Sequence, residues 1–400
     1  MGNGYAAGLG TSMSVAETAA RLQAHAVALV QSTLAAGCLA CHARPFEATI
    51  VLGTHMHADA VLAARVQERL VELGQACELQ ALRSHGPPPA YKGTGPGASE
   101  RWQALYESHK ADLQDAVVAH LGHTHPIWDG PTVALLEDLH RSLRLQRQQA
   151  AQVRTQLVSE GLFQGNAQWD MPARPGRDVR FELVARAAPP PQGLSLKDEV
   201  IHDMHFNLMS LEIPTIEHCA RLIWRFPTQP WSFVTDMTRQ AWDEARHATA
   251  VHVRLVELGG RPGVAPIDLH LWELTTDRPL PLALTIHQRL GEWIGVEGAL
   301  WAIGDLSQRG DPQTARIYEF IAQDEIAHVA LGNKWIRRLV SSEEDIQALT
   351  RQARLLRTGQ VEPGLPLFPF QSAACRRGGF TEAEAEALKS TFSELGSVFE

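Results

Sequence analysis

Apolar residues recur every three to four positions through most of the chain, and this spacing constrains the fold more than any other feature. Residues at that spacing line one face of an α-helix, whereas a half-buried strand alternates apolar and polar residues. Alternating runs of β-branched residues bounded by turns are nearly absent from the sequence. We therefore predict an all-α, almost wholly helical protein in which strands are unexpected.

Proline and glycine divide the helical pattern into segments. Helices are predicted near 14–37, 45–74, 99–121 and 132–160, and again near 195–226, 230–260, 280–308 and 312–340. A chain of 400 residues exceeds what one core usually organises. The predicted domains are a helical bundle at 1–163, a Pro-rich linker at 164–194, a second four-helix domain at 195–340 and a helical extension at 341–400.

The net charge and the composition limit the kinds of partner and the cellular location that we expect for the protein. The formal charge of -9 disfavours a broad basic surface for nucleic acid or anionic lipid, and favours small-molecule or protein partners, including a second copy in a homodimer. We see no run of 18 apolar residues and no basic-then-apolar start at residues 1–5. Five scattered cysteines fit a reducing compartment. These features predict a cytoplasmic protein without a membrane span.

One short motif, Cys38-Leu-Ala-Cys41-His42, has the spacing used for covalent attachment of haem c. Such attachment normally follows export, and the sequence shows no export signal. We therefore favour two buried thiols at a helix end over a haem site.

Two segments each place a glutamate three residues before a histidine. Glu244 precedes His247, and Glu325 precedes His328. Three residues are nearly one helical turn, so both side chains of a pair project from one helix face. Two such helices facing each other offer two carboxylates that can bridge two metal ions, and one imidazole for each ion. The pairs therefore predict a metal site.

The other two helices of the second domain each contain two glutamates five residues apart: Glu212 and Glu217, and Glu292 and Glu297. In antiparallel helices, facing residues lie about equally far from the connecting turn, because each residue rises about 1.5 Å. That comparison favours Glu212 in the first helix. In the third helix it favours Glu297, so the choice between Glu292 and Glu297 stays open.

A glutamate followed after about thirty residues by Asp-Glu-x-x-His, twice over, resembles the ferritin-like di-iron carboxylate superfamily. Residues 195–340 are similar to a bacterial ferritin-like branch of it. The resemblance implies the metal ligands Glu212, Glu244, His247, Glu292, Glu325 and His328, with Glu297 as the competitor of Glu292. It also implies that Asp243 orients His328 and that Asp324 orients His247.

The same resemblance implies a ferritin-like four-helix bundle with two iron ions, or a mixture of iron and manganese, bridged by Glu244 and Glu325. Such ions bind dioxygen, so the expected activity is an oxidase or monooxygenase acting on a small organic substrate with an external electron donor. The alternatives are a ferroxidase that handles iron, a hydroxylase for modified tRNA, and a non-catalytic helical protein.

Several other residues invite attention. Tyr318 lies two turns before Glu325 and is interpreted as core packing or as a residue bordering the metals. Glu137 and His140 repeat the Glu-x-x-His spacing without a symmetric partner, which favours a degenerate, metal-free first bundle. A second metal site among His55, His57, His120, His123 and His125 is disfavoured. The stretch 57–74 echoes 247–259, which suggests that the two halves are distant duplicates.

Overall fold

The computed structural model describes residues 12–86, 98–157, 169–188, 190–358 and 372–388. Over these ranges the protein is an almost wholly helical, all-α bundle protein, as predicted. The expectations that concern the first eleven residues, the start of the linker at 164–168 and the irregular stretch at 359–371 lie outside the described residues.

The helices that precede residue 180 are α1 (Val15–His42), α2 (Phe46–Glu72), α3 (Leu79–Leu82), α4 (Ala98–Gln103), α5 (Lys110–Leu121) and α6 (Gly130–Leu157). A π-helical segment, π1 (Ala104–His109), joins α4 to α5. Helix α1 begins at a capping box, in which the Ser14 side chain accepts from the Glu17 amide and the Glu17 side chain accepts from the Ser14 amide.

The later helices are α7 (Leu196–Phe206), α8 (Ile213–Arg225), α9 (Trp231–Glu257), α10 (His270–Thr275), α11 (Leu280–Leu284), α12 (Glu292–Arg309), α13 (Pro312–Leu339), α14 (Glu343–Thr358) and α15 (Ser372–Arg377). Two more π-helical segments interrupt them: π2 (Asn207–Glu212) joins α7 to α8, and π3 (Thr285–Gly291) joins α11 to α12. The long helices begin and end close to their predicted limits. The π-helical segments were not predicted.

The prediction of an almost wholly helical protein is confirmed, although a short pair of strands, which was not expected, is also present. Strand β1 (Leu183–Val184) pairs in parallel with strand β2 (Ile267–Asp268). Each strand has two residues, which is too short for the alternation of apolar and polar residues to appear in the sequence.

The chain divides into two compact units. Unit 1 comprises Met1–Val179 and Cys219–Ala245, and unit 2 comprises Arg180–His218 and Arg246–Glu400. The predicted domains are continuous segments, whereas each unit is built from two segments, so that α8 and α9 contribute to both. The boundary after Val179 falls inside the predicted linker.

Among the described residues, α1 is the one helix long and apolar enough to cross a membrane by length and composition, and 78% of its most apolar stretch is buried inside the protein. Such a helix was not predicted from the sequence, because its apolar stretch is interrupted by polar residues and contains no run of 18 apolar residues. Core helices of soluble proteins pass the same test. The cytoplasmic location stays a prediction.

The C-terminal extension belongs to the core of unit 2. Cys375 and Phe380 are buried in one apolar cluster with Trp293 of α12 and Val329 of α13. A capping box links Thr381 and Glu384, as the sequence predicts: the Thr381 amide donates to Glu384 Oε2 at 2.7 Å, and the Glu384 amide to Thr381 Oγ1 at 3.2 Å. The extension therefore contributes apolar burial to the unit that carries the Glu-x-x-His helix α13.

Candidate metal centre

Two of the predicted metal ligands lie next to π-helical segments. Glu212 is the last residue of π2, and Glu292 is the first residue after π3. A π-helical turn inserts one residue into an α-helix and re-aims the side chains around it, and such turns are frequent at functional sites. The π-helical segments therefore set the directions of both carboxylates.

The other four predicted ligands lie on long, regular helices. Glu244 and His247 are separated by one turn of α9, and Glu325 and His328 by one turn of α13. All four side chains are buried, as are Glu212 and Glu292.

The predicted ligands form two groups that share two members. Glu212, Glu244, His247 and Glu325 each offer one ligand atom within 4.8 Å of the others. Glu244, Glu292, Glu325 and His328 meet the same criterion. Glu244 and Glu325 belong to both groups, while each group has one histidine and one glutamate of its own. The shared carboxylates would be able to contact both ions of a pair, and the other two residues of each group would hold one ion.

His247 has its two ring nitrogens in different surroundings. Nδ1 lies 3.4 Å from Glu212 Oε2 and 3.5 Å from Glu325 Oε1, so this nitrogen points at the carboxylates of its group. Nε2 lies 3.1 Å from Asp324 Oδ2, and Arg246 donates to the same oxygen at 2.8 Å. Asp324 therefore fixes the orientation of His247, which is the pairing that the resemblance implied.

His328 is fully buried and belongs to the second group. Its Nδ1 lies 3.2 Å from Glu325 Oε2, and its ring centroid lies 6.1 Å from that of His247. The two imidazoles thus approach opposite oxygens of one carboxylate. Asp243, the other implied orienting residue, accepts one bifurcated hydrogen bond from Arg239 Nε, at 2.9 Å to Oδ2 and 3.1 Å to Oδ1. Its role toward His328 stays a prediction.

The donor set fits a pair of divalent cations. Four buried carboxylates that converge within a few ångströms repel one another, and a buried carboxylate is costly unless it is paired or protonated. Gln240 donates to Glu244 at 3.4 Å. Carboxylate oxygens and imidazole nitrogens together suit iron, manganese and zinc. A buried cluster of this composition can hold a metal ion.

The two alternative glutamates lie outside both groups. Glu217 and Glu297 are buried, yet neither belongs to a group of ligand atoms among the described residues. Five residues rotate a helix by about 140°, so Glu297 faces a different side of α12 from Glu292. On that side it lies near Cys375: burial, with Glu297 acting in the same direction, raises the pKa of the Cys375 thiol to about 12.

Tyr318 lies on α13, 5% exposed, and its hydroxyl donates to Asp203. Asn207 of π2 donates to the Tyr318 hydroxyl at 3.1 Å. Burial, with Asp203 and Glu212 acting in the same direction, raises the pKa of Tyr318 well above its usual value. Tyr318 therefore joins α13 to the helix that carries Glu212, and keeps its proton at neutral pH.

Two residues outside the predicted ligand set lie against Glu292. His287 Nε2 is 2.9 Å from Glu292 Oε1, and Arg357 of α14 interacts electrostatically with the same carboxylate. His287 precedes Glu292 by five residues. This spacing matches the backbone hydrogen bonding of a π-helix and does not match that of an α-helix. A sequence search for Glu-x-x-His cannot find either contact.

The histidines considered for a further metal site have other partners. His55 lies 2.8 Å from the Tyr106 hydroxyl and 2.9 Å from Gln149 Oε1. The others are paired as follows: His57 stacks on Trp242, His120 lies 3.0 Å from His25, His123 lies 2.7 Å from the Ala119 carbonyl, and His125 stacks on Trp128. Glu137 and His140 line an open pocket with Arg141 and Arg144.

The Cys38 and Cys41 thiols are buried in the last turns of α1. Cys38 Sγ donates to the Asp170 carbonyl at 3.2 Å, and His42 Nδ1 lies 2.9 Å from the Cys38 carbonyl. Burial raises the pKa of the Cys38 thiol to about 12, so this thiol stays protonated. The motif therefore contributes to packing in unit 1.

Comparison with known proteins gives a family and one relative. An uncharacterized protein of Haemophilus influenzae is 25% identical over 187 residues, which span 46% of this chain and 65% of the relative. No solved structure matches the chain. The model of the family described as Protein of unknown function (DUF455) matches residues 135–386, which include α9, α13 and all six predicted ligands. The chain belongs to this family.

Proposed function

We propose that this protein is a ferritin-like dinuclear metalloenzyme that uses dioxygen to oxidise a small organic substrate. One observation carries the proposal: two groups of buried ligands share Glu244 and Glu325, and each adds a histidine and a glutamate of its own. Helical bundles that bind two iron or manganese ions use this donor set.

In this proposal Glu244 and Glu325 would hold both ions, with Glu212 and His247 holding one and Glu292 and His328 the other. Two ferrous ions held there would supply the electrons that reduce dioxygen. Asp324 holds His247 Nε2 and thereby directs Nδ1 toward its metal. His287 Nε2 lies 2.9 Å from Glu292 Oε1, and this contact keeps that carboxylate in position.

Tyr318 acts through the residues around it. Its hydroxyl keeps its proton and donates to Asp203, while Asn207 donates to it, so the tyrosine fixes α7 and π2 against α13. Because π2 ends at Glu212, this contact supports the position of one terminal carboxylate. Tyr318 is thus a positioning residue for the ligand set.

Metal binding is tested by stability. Because the apo protein buries four carboxylates together, a divalent ion that binds only the folded state is expected to stabilise it by about 4 kcal/mol at a concentration of about 1,000 Kd. Thermal unfolding with and without ferrous, manganous or zinc ions, and elemental analysis after dialysis, measure this effect. Two ions per chain are expected. An unchanged Tm with every ion contradicts the proposal.

Reaction with dioxygen is tested separately. The protein is loaded with two ferrous ions per chain without oxygen and then mixed with oxygenated buffer in an oxygen electrode. We expect rapid uptake that continues when a chemical reductant is supplied. Uptake that continues only with added ferrous ion indicates ferroxidase activity. No uptake by fully loaded protein contradicts an oxidase or monooxygenase.

A further inference from the structure

An identical hydrogen-bond network occurs once in each half of the chain. On α2, Arg69 donates through Nε to Thr132, through Nη1 to Glu72 and through Nη2 to Asp129. On α9, Arg254 donates through Nε to Thr314, through Nη1 to Glu257 and through Nη2 to Asp311. The partners agree atom for atom, so the network fixes which residues of the two halves correspond.

The correspondence has a constant offset on each helix. Arg69 and Arg254 differ by 185 positions (254 minus 69), and α2 and α9 both have 27 residues. Thr132 and Thr314 differ by 182 (314 minus 132), and α6 and α13 both have 28 residues. The suggestion of duplication from the sequence thus has support, but in the register of Leu70–Gly74 with Leu255–Gly259 and not of His57 with His247.

These offsets show what the first half of the chain has in place of the predicted metal ligands. Asp59 corresponds to Glu244 at the offset of 185, and Gln146 corresponds to His328 at the offset of 182. Lys110 lies 182 positions before Glu292 and, like Glu292, is the first residue after a π-helical segment. Two further counterparts are apolar: Leu62 corresponds to His247 at the offset of 185, and Leu143 to Glu325 at the offset of 182.

The three polar counterparts are in contact. The Lys110 ammonium donates to Asp59 Oδ2 and to Gln146 Oε1, and Gln146 Nε2 donates to Asp59 Oδ1 at 2.9 Å. Lys110 and Asp59 have no exposed side-chain area. Tyr106 contributes its ring face 5.6 Å from the ammonium. One positive charge therefore lies among ligand-type oxygens in the position that corresponds to the metal cluster.

We propose that the centre of unit 1 is a cation site that the chain fills with its own Lys110 ammonium, bound by Asp59, Gln146 and Tyr106. The charge of Lys110 balances that of Asp59, so this unit holds its centre together without a metal ion. A chain then carries one metal centre and one tethered-cation centre. The contacts of Lys110 with Asp59, Gln146 and Tyr106 do not depend on the proposed oxygen chemistry.

Chemical rescue tests the proposal on the full-length chain. Lys110→Ala removes three methylenes and the ammonium, which is the shape of propylammonium. We expect Tm to fall by roughly 10 °C, because Asp59 is left buried without its cation. Propylammonium chloride is expected to raise the Tm of the variant in a saturable way and to leave the wild type unchanged. An equal rise with 1-propanol contradicts a cation site.

A second pair of variants keeps the test decisive if Lys110→Ala does not fold. Lys110→Met retains most of the side-chain volume and loses the charge. If the ammonium serves to balance Asp59, then Asp59→Asn combined with Lys110→Met is expected to melt several degrees above Lys110→Met alone. A double variant no more stable than Lys110→Met, or a Lys110→Met variant as stable as the wild type, overturns the proposal. Metal content plays no part in either measurement.

Discussion

Glu325→Ala is expected to abolish stoichiometric metal binding, from two ions per chain to nearly none. Glu325 is one of the two carboxylates common to both ligand groups, so its loss weakens both ion positions together. Substitutions of residues that only orient metal ligands lower affinity by about 10–100-fold, and a bridging ligand is expected to exceed the upper end of that range. Elemental analysis after dialysis measures the loss, and circular dichroism checks that the helices persist.

The matched controls are two glutamates five residues apart on α12. Glu292→Ala is expected to lose one ion, because Glu292 belongs to one group, whereas Glu297→Ala is expected to keep both ions, because Glu297 belongs to neither. The two residues are similarly buried, so a general effect of removing a buried carboxylate changes them alike. A Glu325→Ala variant that retains two ions, or loss of metal only in Glu297→Ala, contradicts this assignment of ligands.

Arg289→Ala is expected to lower the free energy of unfolding by about 3–5 kcal/mol, because it breaks a buried ion pair and leaves one partner behind. The Arg289 side chain, 2% exposed, pairs with Glu384 and also donates to Asn333. Its guanidinium lies 4.5 Å from the centre of the Phe380 ring. These contacts hold the C-terminal extension onto π3 and α13. Urea unfolding at neutral pH measures the loss.

Arg337→Ala is the control, since Arg337 pairs with the same Glu384 at 2.7 Å but is about one third exposed. Its expected cost is about 1 kcal/mol or less. A loss as large as that of Arg289→Ala would show that exposure does not decide the effect.

The effect of Arg289→Ala is also expected to depend on pH. Burial by itself raises the pKa of Glu384, but Arg289, the Thr381 amide and Arg337 lower it below its usual value of 4.5 overall. A carboxylate with a lowered folded-state pKa stabilises the fold above the pKa of the unfolded chain, and this contribution is lost as the pH falls through the folded-state pKa. The difference between wild type and Arg289→Ala should therefore be largest above about pH 5 and shrink in acid. A difference that grows in acid contradicts this account.

The helices could be predicted because their start and stop signals are local. Ser14 with Glu17 begins α1, Asp311 with Pro312 begins α13, and Gly310 ends α12 with a φ of 95° that favours glycine. The Glu-x-x-His pairs could be read for the same reason, since three residues along a helix determine a shared face. Local patterns therefore provided both the fold class and the candidate site.

What could not be predicted depends on long-range contacts or on turns without a sequence signature. A comparison by helical rise alone favours Glu297 over Glu292. The rise takes no account of the direction in which each side chain points around the helix, or of neighbours such as Cys375. The contact of His287 with Glu292 requires a π-helical turn, and Arg289 reaches Glu384 across 95 positions. Pairing of β1 with β2 joins residues far apart in sequence. None of these contacts repeats with a period that a sequence shows.

Each π-helical segment lets the residues before it and the residues after it face their own packing partners along one continuous helix. An α-helix turns about 100° per residue, so removal of one residue from π3 rotates everything on one side of the deletion relative to the other. Either Glu292 turns from its group, or the apolar face of α11 turns from its packing partners. Length is therefore as constrained in these helices as residue identity, and relatives that keep a metal centre should tolerate substitutions within π2 and π3 more readily than insertions or deletions.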